Sequence, residues 1–159
     1  MTIGEARPHC RRSGNTLAAI FLLVLIALSP VHVRAQAPQA WIGSWYSETR
    51  EDKLIDGKKY DIRRELLVNR GDGTKINTFR YYNGGQVVTE AVVTYVWGVD
   101  NNVFWTVCRT VLMNGEATAC SVRFEYDVIS TTVREIRYKS RQTAIEYSIL
   151  RVADEFKLP

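Results

Sequence analysis

Histidine is nearly absent from this chain: its two copies, His9 and His32, both lie near the N-terminus. From residue 36 onward there is none, which excludes the Ser-His and Cys-His pairs that activate nucleophiles and the imidazole ligands of zinc sites. Carboxylate, lysine, tyrosine and cysteine side chains remain, but their spacing singles out no catalytic set. We therefore expect a non-enzymatic protein with no metal and no cofactor.

The sequence also has no apolar run of the roughly 20 residues that are needed to cross a bilayer. A shorter run, Leu17 to Leu28, follows the basic pair Arg11-Arg12 and precedes small residues, an order typical of a secretory signal peptide. Two cleavage sites compete. Cleavage after Ala37 would place Pro38 first, which signal peptidase tolerates poorly, so we favour cleavage after Ala35.

The predicted organisation is a signal peptide over residues 1–35 and a single domain over residues 36–159. An uncleaved N-terminal anchor over Leu17 to Val33 is the alternative. Processing would place the domain in the periplasm or outside the cell, with no stable membrane span. The leader carries four of the 21 basic and one of the 17 acidic residues, so its removal lowers the net charge from +4 to +1. The basic pI near 9.0 therefore does not indicate a nucleic-acid partner.

A sustained helical period is missing as well, whereas valine, threonine, tyrosine and tryptophan are abundant from Trp41 onward. These residues favour half-buried strands, and turn-forming pairs such as Asp56-Gly57 and Asn114-Gly115 separate the runs. The pattern predicts eight strands, at Ile42 to Arg50, Lys59 to Asn69, Thr74 to Tyr82, Gln86 to Trp97, Val103 to Leu112, Ala117 to Asp127, Thr132 to Lys139 and Thr143 to Val152.

Eight sequential strands with short loops pair with their neighbours as a meander, and closing the meander removes its two exposed edges. The sequence therefore predicts an all-β fold, an eight-stranded antiparallel up-and-down barrel. The longest connection, Glu48 to Lys58, is expected to form a short helix or a lid over one mouth. A final helical turn is expected over Ala153 to Leu158.

The run that begins at Trp41 contains Gly43-Ser44-Trp45, which resembles the Gly-x-Trp signature that opens lipocalins and bacterial lipocalin-like domains of the calycin group. In that family the tryptophan packs at the closed end of an eight-stranded barrel, and an arginine from a late strand lies across its ring. The resemblance therefore implies structural roles for Gly43, Trp45 and Arg151, with a cation–π contact worth about 0.5 to 2 kcal/mol. The Thr-Asp-Tyr motif from the middle of lipocalins is absent.

Two cysteines, Cys108 and Cys120, flank the turn at Asn114-Gly115. If Met113-Asn114-Gly115 is a three-residue loop, the two cysteines face each other across the hairpin. A two-residue loop instead points their side chains to opposite sides of the sheet. In an oxidising compartment we expect a structural disulfide worth about 2 to 3 kcal/mol, and hence the three-residue register. A redox-labile disulfide is the alternative.

The fourth and fifth predicted strands have no polar face, so we expect both sides of this hairpin to be covered. With a three-residue loop at Asp100-Asn101-Asn102, Trp97 faces Trp105 and two arginines lie beside an aromatic face. Apolar walls with a few fixed cations suit an amphipathic anion such as a fatty acid. The candidate ligand-binding residues are Tyr95, Trp97, Trp105, Arg109 and Arg123.

Together these features predict an exported, non-catalytic binding protein for a small apolar or amphipathic ligand held in a β-barrel. The alternative is a secreted interaction module or inhibitor that uses an exposed strand face, including self-association as a homodimer. An enzyme on the same barrel is disfavoured, because acid–base machinery is sparse without histidine.

Overall fold

The computed structural model describes residues 38–159 and contains nine strands after a short 3-10 helix at Gln39–Trp41. The predicted signal peptide, residues 1–35, lies outside this range. Within it, no helix has the length and apolar character needed to cross a membrane. The strands are β1 (Gly43–Ile55), β2 (Lys58–Asn69), β3 (Thr74–Asn83), β4 (Gln86–Asp100), β5 (Val103–Met113), β6 (Glu116–Ala119), β7 (Arg123–Thr131), β8 (Glu135–Ser140) and β9 (Glu146–Val152).

The strands close into an antiparallel barrel of eight. Around the ring the order is β1, β2, β3, β4, β5, β7, β8 and β9, and β9 pairs back onto β1. The short strand β6 pairs only with the end of β5. The predicted eight-stranded barrel is therefore confirmed, with the sixth predicted strand divided into β6 and β7.

The segment from Glu48 to Lys58 forms no helix, which was one of the two predictions for it. It continues β1 and β2 as a long hairpin, with a bulge between Arg50 and Lys53. Asp56 and Gly57 form its turn, and both have positive φ, at 48° and 72°. A two-residue turn of this kind matches the twist of paired strands, so pairing extends to the tip. The tip of this hairpin contacts the turn after β5, where Nδ2 of Asn114 donates to the Asp56 carboxylate at 2.7 Å.

The register predicted between β4 and β5 is wrong by one residue. Asn101 and Asn102 both adopt positive φ, at 47° and 63°, and form a two-residue turn that pairs Asp100 with Val103. Trp97 therefore lies opposite Thr106 rather than Trp105. Because side chains alternate between faces, this shift places the two tryptophans on opposite sides of the sheet.

The disulfide between Cys108 and Cys120 is confirmed, but the predicted three-residue loop beside it is wrong. Asn114 and Gly115 alone form the turn, and Met113 pairs with Glu116. Regular pairing stops after Ala119. At this break the Cys108 N–H donates to the Val122 carbonyl, and the Cys120 N–H donates to the Arg109 carbonyl. The irregular backbone brings the two Cα atoms to 5.4 Å, so the sequence accommodates both the short turn and the disulfide.

A cluster of large apolar side chains fills one end of the barrel. Its buried members are Trp41, Trp45, Leu67, Trp97, Phe104, Ile136, Tyr138 and Ile149. They come from the 3-10 helix and from β1, β2, β4, β5, β8 and β9, so the cluster ties almost the whole ring together. This end is closed, and any cavity lies on the other side of the cluster.

Arg151 joins the closed end to the chain that enters the barrel. Its guanidinium carbon lies 4.2 Å from the centroid of the Trp45 ring, which is the arrangement implied by the lipocalin resemblance. Its nitrogens donate to the carbonyls of Ala40 at 2.8 Å, Ile42 at 3.0 Å and Val133 at 3.0 Å. Two backbone segments, the entering chain at Ala40 to Ile42 and the turn at Val133, are therefore held by one side chain.

Gly43 makes this arrangement possible. Its φ is 123°, and a Cβ at this position would lie 2.6 Å from Nη1 of Arg151. A side chain here would have to displace the guanidinium as well as adopt a strained backbone conformation.

The C-terminal segment Ala153 to Leu158 is a turn followed by irregular chain, not the helical turn predicted for it. It runs back over the outside of the barrel. Arg80 donates to the Leu158 carbonyl at 2.6 Å, and the ring of Phe156 packs edge-on against Tyr46 at 5.4 Å. Leu158 is only 6% exposed, so the segment covers part of the outer face of the sheet.

Candidate functional site

Strand alternation brings a mixed polar and aromatic set of side chains to a cavity of about 150 Å³ inside the barrel. Pairing across β2, β3 and β4 aligns Asn69, Lys75 and Tyr95 in one inward row. The polar lining residues are Arg63, Glu65, Lys75, Asn77 and Thr106. The predicted site had apolar walls with two fixed cations, Arg109 and Arg123, whereas the polar residues of this cavity are a different set and include a carboxylate.

Lys75 is the most unusual of these side chains, because it is only 4% exposed. Its ammonium nitrogen lies 5.4 Å from the Tyr95 ring centroid and 5.0 Å from that of Phe104. It forms no ion pair and donates no hydrogen bond to any residue of the described range. Burial lowers the pKa of Lys75 to about 8, and the negative charge of Glu65 opposes that shift only in part.

Glu65 lies on the same wall and has partners of its own. Its carboxylate accepts hydrogen bonds from Nδ2 of Asn77 at 2.5 Å and from Oγ of Ser47 at 3.5 Å. Burial raises the pKa of Glu65, although Lys75, Arg63 and these hydrogen bonds act in the opposite direction. The remaining amide oxygen of Asn77 is buried and has no hydrogen-bond donor among the described residues.

Arg63 extends the charged wall away from the closed end. Its guanidinium lies 3.3 Å from the carboxylate of Glu51, which also accepts hydrogen bonds from Tyr60 and Lys53. These contacts lower the pKa of Glu51 against the opposing effect of its burial. Arg63 therefore has a carboxylate partner, whereas Lys75 has none.

Aromatic rings form the rest of the wall. The phenylalanines are Phe79, Phe104 and Phe124, and the tyrosines are Tyr95, Tyr126, Tyr138 and Tyr147. Several of the rings pack directly on one another, with centroids 5.1 Å apart for Tyr126 and Tyr138 and 5.5 Å apart for Tyr138 and Tyr147.

The hydroxyls of these four tyrosines make no hydrogen bond to another described residue. Burial raises the pKa of Tyr95, Tyr126 and Tyr138 above the ordinary tyrosine value, so these groups stay protonated at neutral pH. Together with Lys75 they present hydrogen-bond donors to the cavity that no acceptor of the described chain occupies.

The five residues predicted to form a ligand site do not come together. Tyr95 lines the cavity, and Trp97 is buried in the closed-end cluster, where its Nε1 donates to the Thr74 carbonyl at 2.9 Å. The other three lie on the outer surface. Arg123 stacks over Trp105 at 5.0 Å and bonds Glu125 at 2.8 Å, and Arg109 is exposed.

Two local features explain this separation. The two-residue turn at Asn101-Asn102 turns Trp105 outward, where its ring lies over Gly98, 2.6 Å from the position of a Cβ. Arg109 is the extra residue of a bulge between the pairs Thr94 with Thr110 and Tyr95 with Cys108. Neither feature is visible in the alternation of apolar residues.

Sequence reasoning missed Lys75, Glu65, Asn77 and Arg63. On β3, Lys75 and Asn77 alternate with Ile76 and Thr78, a pattern that favours placing the lysine face in solvent. The usable signal was the aromatic continuation of that face, since Phe79 and Tyr81 follow Lys75 and Asn77 at the same two-residue spacing. A face that ends in two large rings is more typical of an interior than of a surface.

The fold and the site define a class of protein: a closed eight-stranded antiparallel barrel with a small, donor-rich cavity. Within residues 38–159 no group of three or more histidine, cysteine or acidic side chains is placed to hold a metal ion. Comparisons with protein families, curated proteins and solved structures found nothing that matches this chain.

Proposed function

We propose that this protein is an exported, non-catalytic binding protein that holds a small amphipathic molecule inside a lipocalin-like barrel. The observation that carries this proposal is Lys75, which is only 4% exposed, forms no ion pair within the described range and lines a cavity together with four tyrosines. A ligand that supplies an oxygen acceptor to the Lys75 ammonium would form a charge-assisted hydrogen bond, which is stronger than a bond between neutral groups.

The volume of the cavity limits the size of the ligand. Drug-sized ligands occupy roughly 300 to 1,000 Å³, and an apolar cavity of about 150 Å³ holds one benzene molecule. The cavity here is about 150 Å³. We therefore expect a ligand with one ring, or a short chain, and one polar end.

The charges of the cavity favour a neutral ligand over the fatty-acid anion suggested by the sequence. Arg63 and Glu51 form one pair, and Lys75 and Glu65 attract each other across the same wall. When Glu65 is ionised these four charges cancel, so an anionic ligand would add a net negative charge beside the carboxylates of this wall. Arg109 and Arg123, which the fatty-acid hypothesis requires, are on the outer surface.

Two further features support the exported, lipocalin-like character of the protein. The predicted leader directs the chain to an oxidising compartment, where a disulfide such as Cys108–Cys120 persists. The contact of Arg151 with Trp45 at the closed end is the feature that the family resemblance implies.

Benzamide and benzoate provide a matched test, because they have nearly the same size but differ in charge. Calorimetric titration of residues 36–159 should give tighter binding of benzamide than of benzoate. The substitution Lys75→Met should weaken benzamide binding by at least about tenfold, the equivalent of a 1.4 kcal/mol hydrogen bond to a charged donor. Lys59→Met, which removes an exposed lysine paired with Asp52, serves as the control and should leave binding unchanged.

Native mass spectrometry of protein purified from its own cell envelope provides a second test of the ligand-binding proposal. A reproducible small-molecule adduct that Lys75→Met removes supports the proposal. An empty chain that forms a concentration-dependent dimer, with no binding of either probe, would overturn it in favour of the interaction module.

A further inference from the structure

Lys75 has the surroundings of a reactive amine rather than of a structural cation. A structural lysine in an interior is normally held by a carboxylate, whereas no described carboxylate is close enough to Lys75 to form an ion pair with it. Its ammonium nitrogen instead lies over the rings of Tyr95 and Phe104 and faces the cavity. Lysines that are desolvated in this way serve as nucleophiles toward carbonyl compounds.

We propose that Lys75 captures a small aldehyde in the cavity as a covalent imine. This inference rests on the proposed ligand-binding function and names its chemical class: a neutral carbonyl compound whose oxygen is the acceptor that the cavity lacks. The rings of Phe104 and Tyr95 lie 5.0 and 5.4 Å from the Lys75 nitrogen, and an aromatic or conjugated aldehyde attached to that nitrogen could pack against them.

The reaction is balanced without any further reagent. The lone pair of the neutral Lys75 amine attacks the carbonyl carbon, a C–N bond forms, and the C=O π electrons move to oxygen. Transfer of a proton from nitrogen to that oxygen gives a carbinolamine. Loss of the hydroxyl group with a proton then releases one water molecule and leaves the C=N bond, so that aldehyde and amine become imine and water.

Two groups on the Lys75 wall suit these proton transfers. Glu65, whose pKa is raised by burial, can donate a proton to the departing hydroxyl and recover it from nitrogen. The amide oxygen of Asn77 is buried without a donor and can accept a hydrogen bond from the carbinolamine. Asn77 is two residues from Lys75 on the same face of β3, roughly 7 Å along the strand.

The neutral amine is available at ordinary pH. Since the pKa of Lys75 is about 8, a substantial fraction is unprotonated near pH 7.5, in contrast to an exposed lysine. The groups that face Lys75 are Glu65 and Arg63 from β2, Tyr95 from β4, Tyr126 from β7, Tyr138 from β8 and Tyr147 from β9. Burial raises the pKa of Tyr95, Tyr126 and Tyr138, so these three groups stay neutral in this range. The charge that acts on Lys75 is that of Glu65, which raises the pKa of Lys75 against the larger effect of burial.

Reductive trapping tests the proposal directly. Residues 36–159 are incubated with benzaldehyde and cyanoborohydride at pH 7, and the intact mass and the modified peptide are determined. We expect one added benzyl group per chain, located on Lys75, at a rate at least about tenfold above that of exposed Lys59 and with a pH midpoint near 8. Excess benzamide, which cannot form an imine, should slow labelling of Lys75 and leave labelling of Lys59 unchanged.

Two variants separate chemistry from folding. Lys75→Arg keeps the buried charge but cannot form an imine, and Lys75→Met removes both; each should lose the rapid label, and circular dichroism checks that each is folded. Labelling spread over exposed lysines and the chain terminus, with Lys75 unmodified, would overturn the imine. If benzamide still binds in that case, the ligand-binding function stands without covalent capture. If benzamide does not bind either, both proposals fail.

Discussion

At the scale of single residues, the burial of a protonated lysine in the cavity lowers the free energy of unfolding of this barrel. Lys75 is almost fully buried, and its partner charge on Glu65 is too distant to form an ion pair. The lowered pKa of Lys75 means that protonation of this group is less favourable in the folded state than in the unfolded state. The penalty is complete below pH 8, where both states are protonated.

The pH dependence of this penalty is a prediction. Between pH 8 and pH 10 the unfolded lysine, with a pKa near 10.5, still holds its proton, whereas the folded one has released it. The unfolded state then binds more protons, so the free energy of unfolding rises with pH. Relative to Lys75→Met, the wild type should gain about 2 to 3 kcal/mol from pH 7 to pH 10, measured by urea unfolding at each pH.

Comparison with the variant removes other titrations from this measurement. Tyr95, Tyr126 and Tyr138 have raised pKa values and lower the stability above pH 10, but they do so in both proteins. Lys59→Met, at an exposed position, is the control for the loss of a lysine as such. A flat difference for Lys75→Met as well would mean that Lys75 is solvated in the folded protein.

At the scale of elements, β5, β6 and β7 depend on one irregularity and one covalent bond. The chain after β6 stops pairing with β5 beyond Cys120 and pairs with it again from Arg123. Two backbone hydrogen bonds at this break join Cys108 to Val122 and Cys120 to Arg109. The disulfide closes this short loop with a sequence separation of 12. Short β6, whose four residues are all exposed, has little other tertiary support.

Removal of the disulfide should therefore lower the stability of the whole domain and also loosen β6 and the chain beside it. The double substitution Cys108→Ser with Cys120→Ser is expected to lower the free energy of unfolding by about 2 to 3 kcal/mol, because the unfolded chain regains the entropy of the opened loop. Amide hydrogen exchange should accelerate most at Cys120 and over β6. An exchange pattern that is unchanged at β6 but faster around β8 would contradict this assignment of the support.

The strand order was predictable from the sequence, whereas the register was not. Turn residues such as Asp56-Gly57 and Asn114-Gly115 mark the strand ends, and sequential strands with short loops leave a meander as the economical topology. The loop at Asp100-Asn101-Asn102 is compatible with two or three residues, and the choice decides the face of the β5 side chains as far as the bulge at Arg109. The predicted site failed because this turn places Trp105 outside the barrel.

At the scale of the whole molecule, one wall of the barrel interior carries charged side chains, although protein interiors are ordinarily apolar. Arg63, Glu65 and Lys75 line the interior, while Leu54 and Val133 are 70% and 79% exposed. Hydrophobic patterning identifies an interior by its apolar side chains, so it cannot recognise a cavity that is built from compensating charges and tyrosines. The closed end, by contrast, follows the pattern, and Trp45 at the family-like signature is fully buried.

The contacts of the closed end also limit how many N-terminal residues can be removed without loss of stability. The Trp41 carbonyl accepts hydrogen bonds from Trp45 Nε1 and Asn69 Nδ2, both at 3.0 Å, and the Ala40 carbonyl accepts one from Arg151. Removal of the chain as far as Trp41 would leave these donors without acceptors inside the barrel. Cleavage after Ala35 or after Ala37 keeps all of these contacts.

The sequence predicts that the processed protein begins at Gln36, and the contacts of the entering segment predict that its stability depends on the few residues that follow. N-terminal sequencing of protein from the cell envelope should start at Gln36, and a retained Met1 would contradict the signal peptide. Chains that start at Gln36 and at Pro38 should unfold at the same temperature. A chain that starts at Ile42 should unfold at least about 5 °C lower, because two buried donors lose their acceptor at a cost of about 1 to 3 kcal/mol each. Equal melting temperatures for all three chains would show that the entering segment does not seal the barrel.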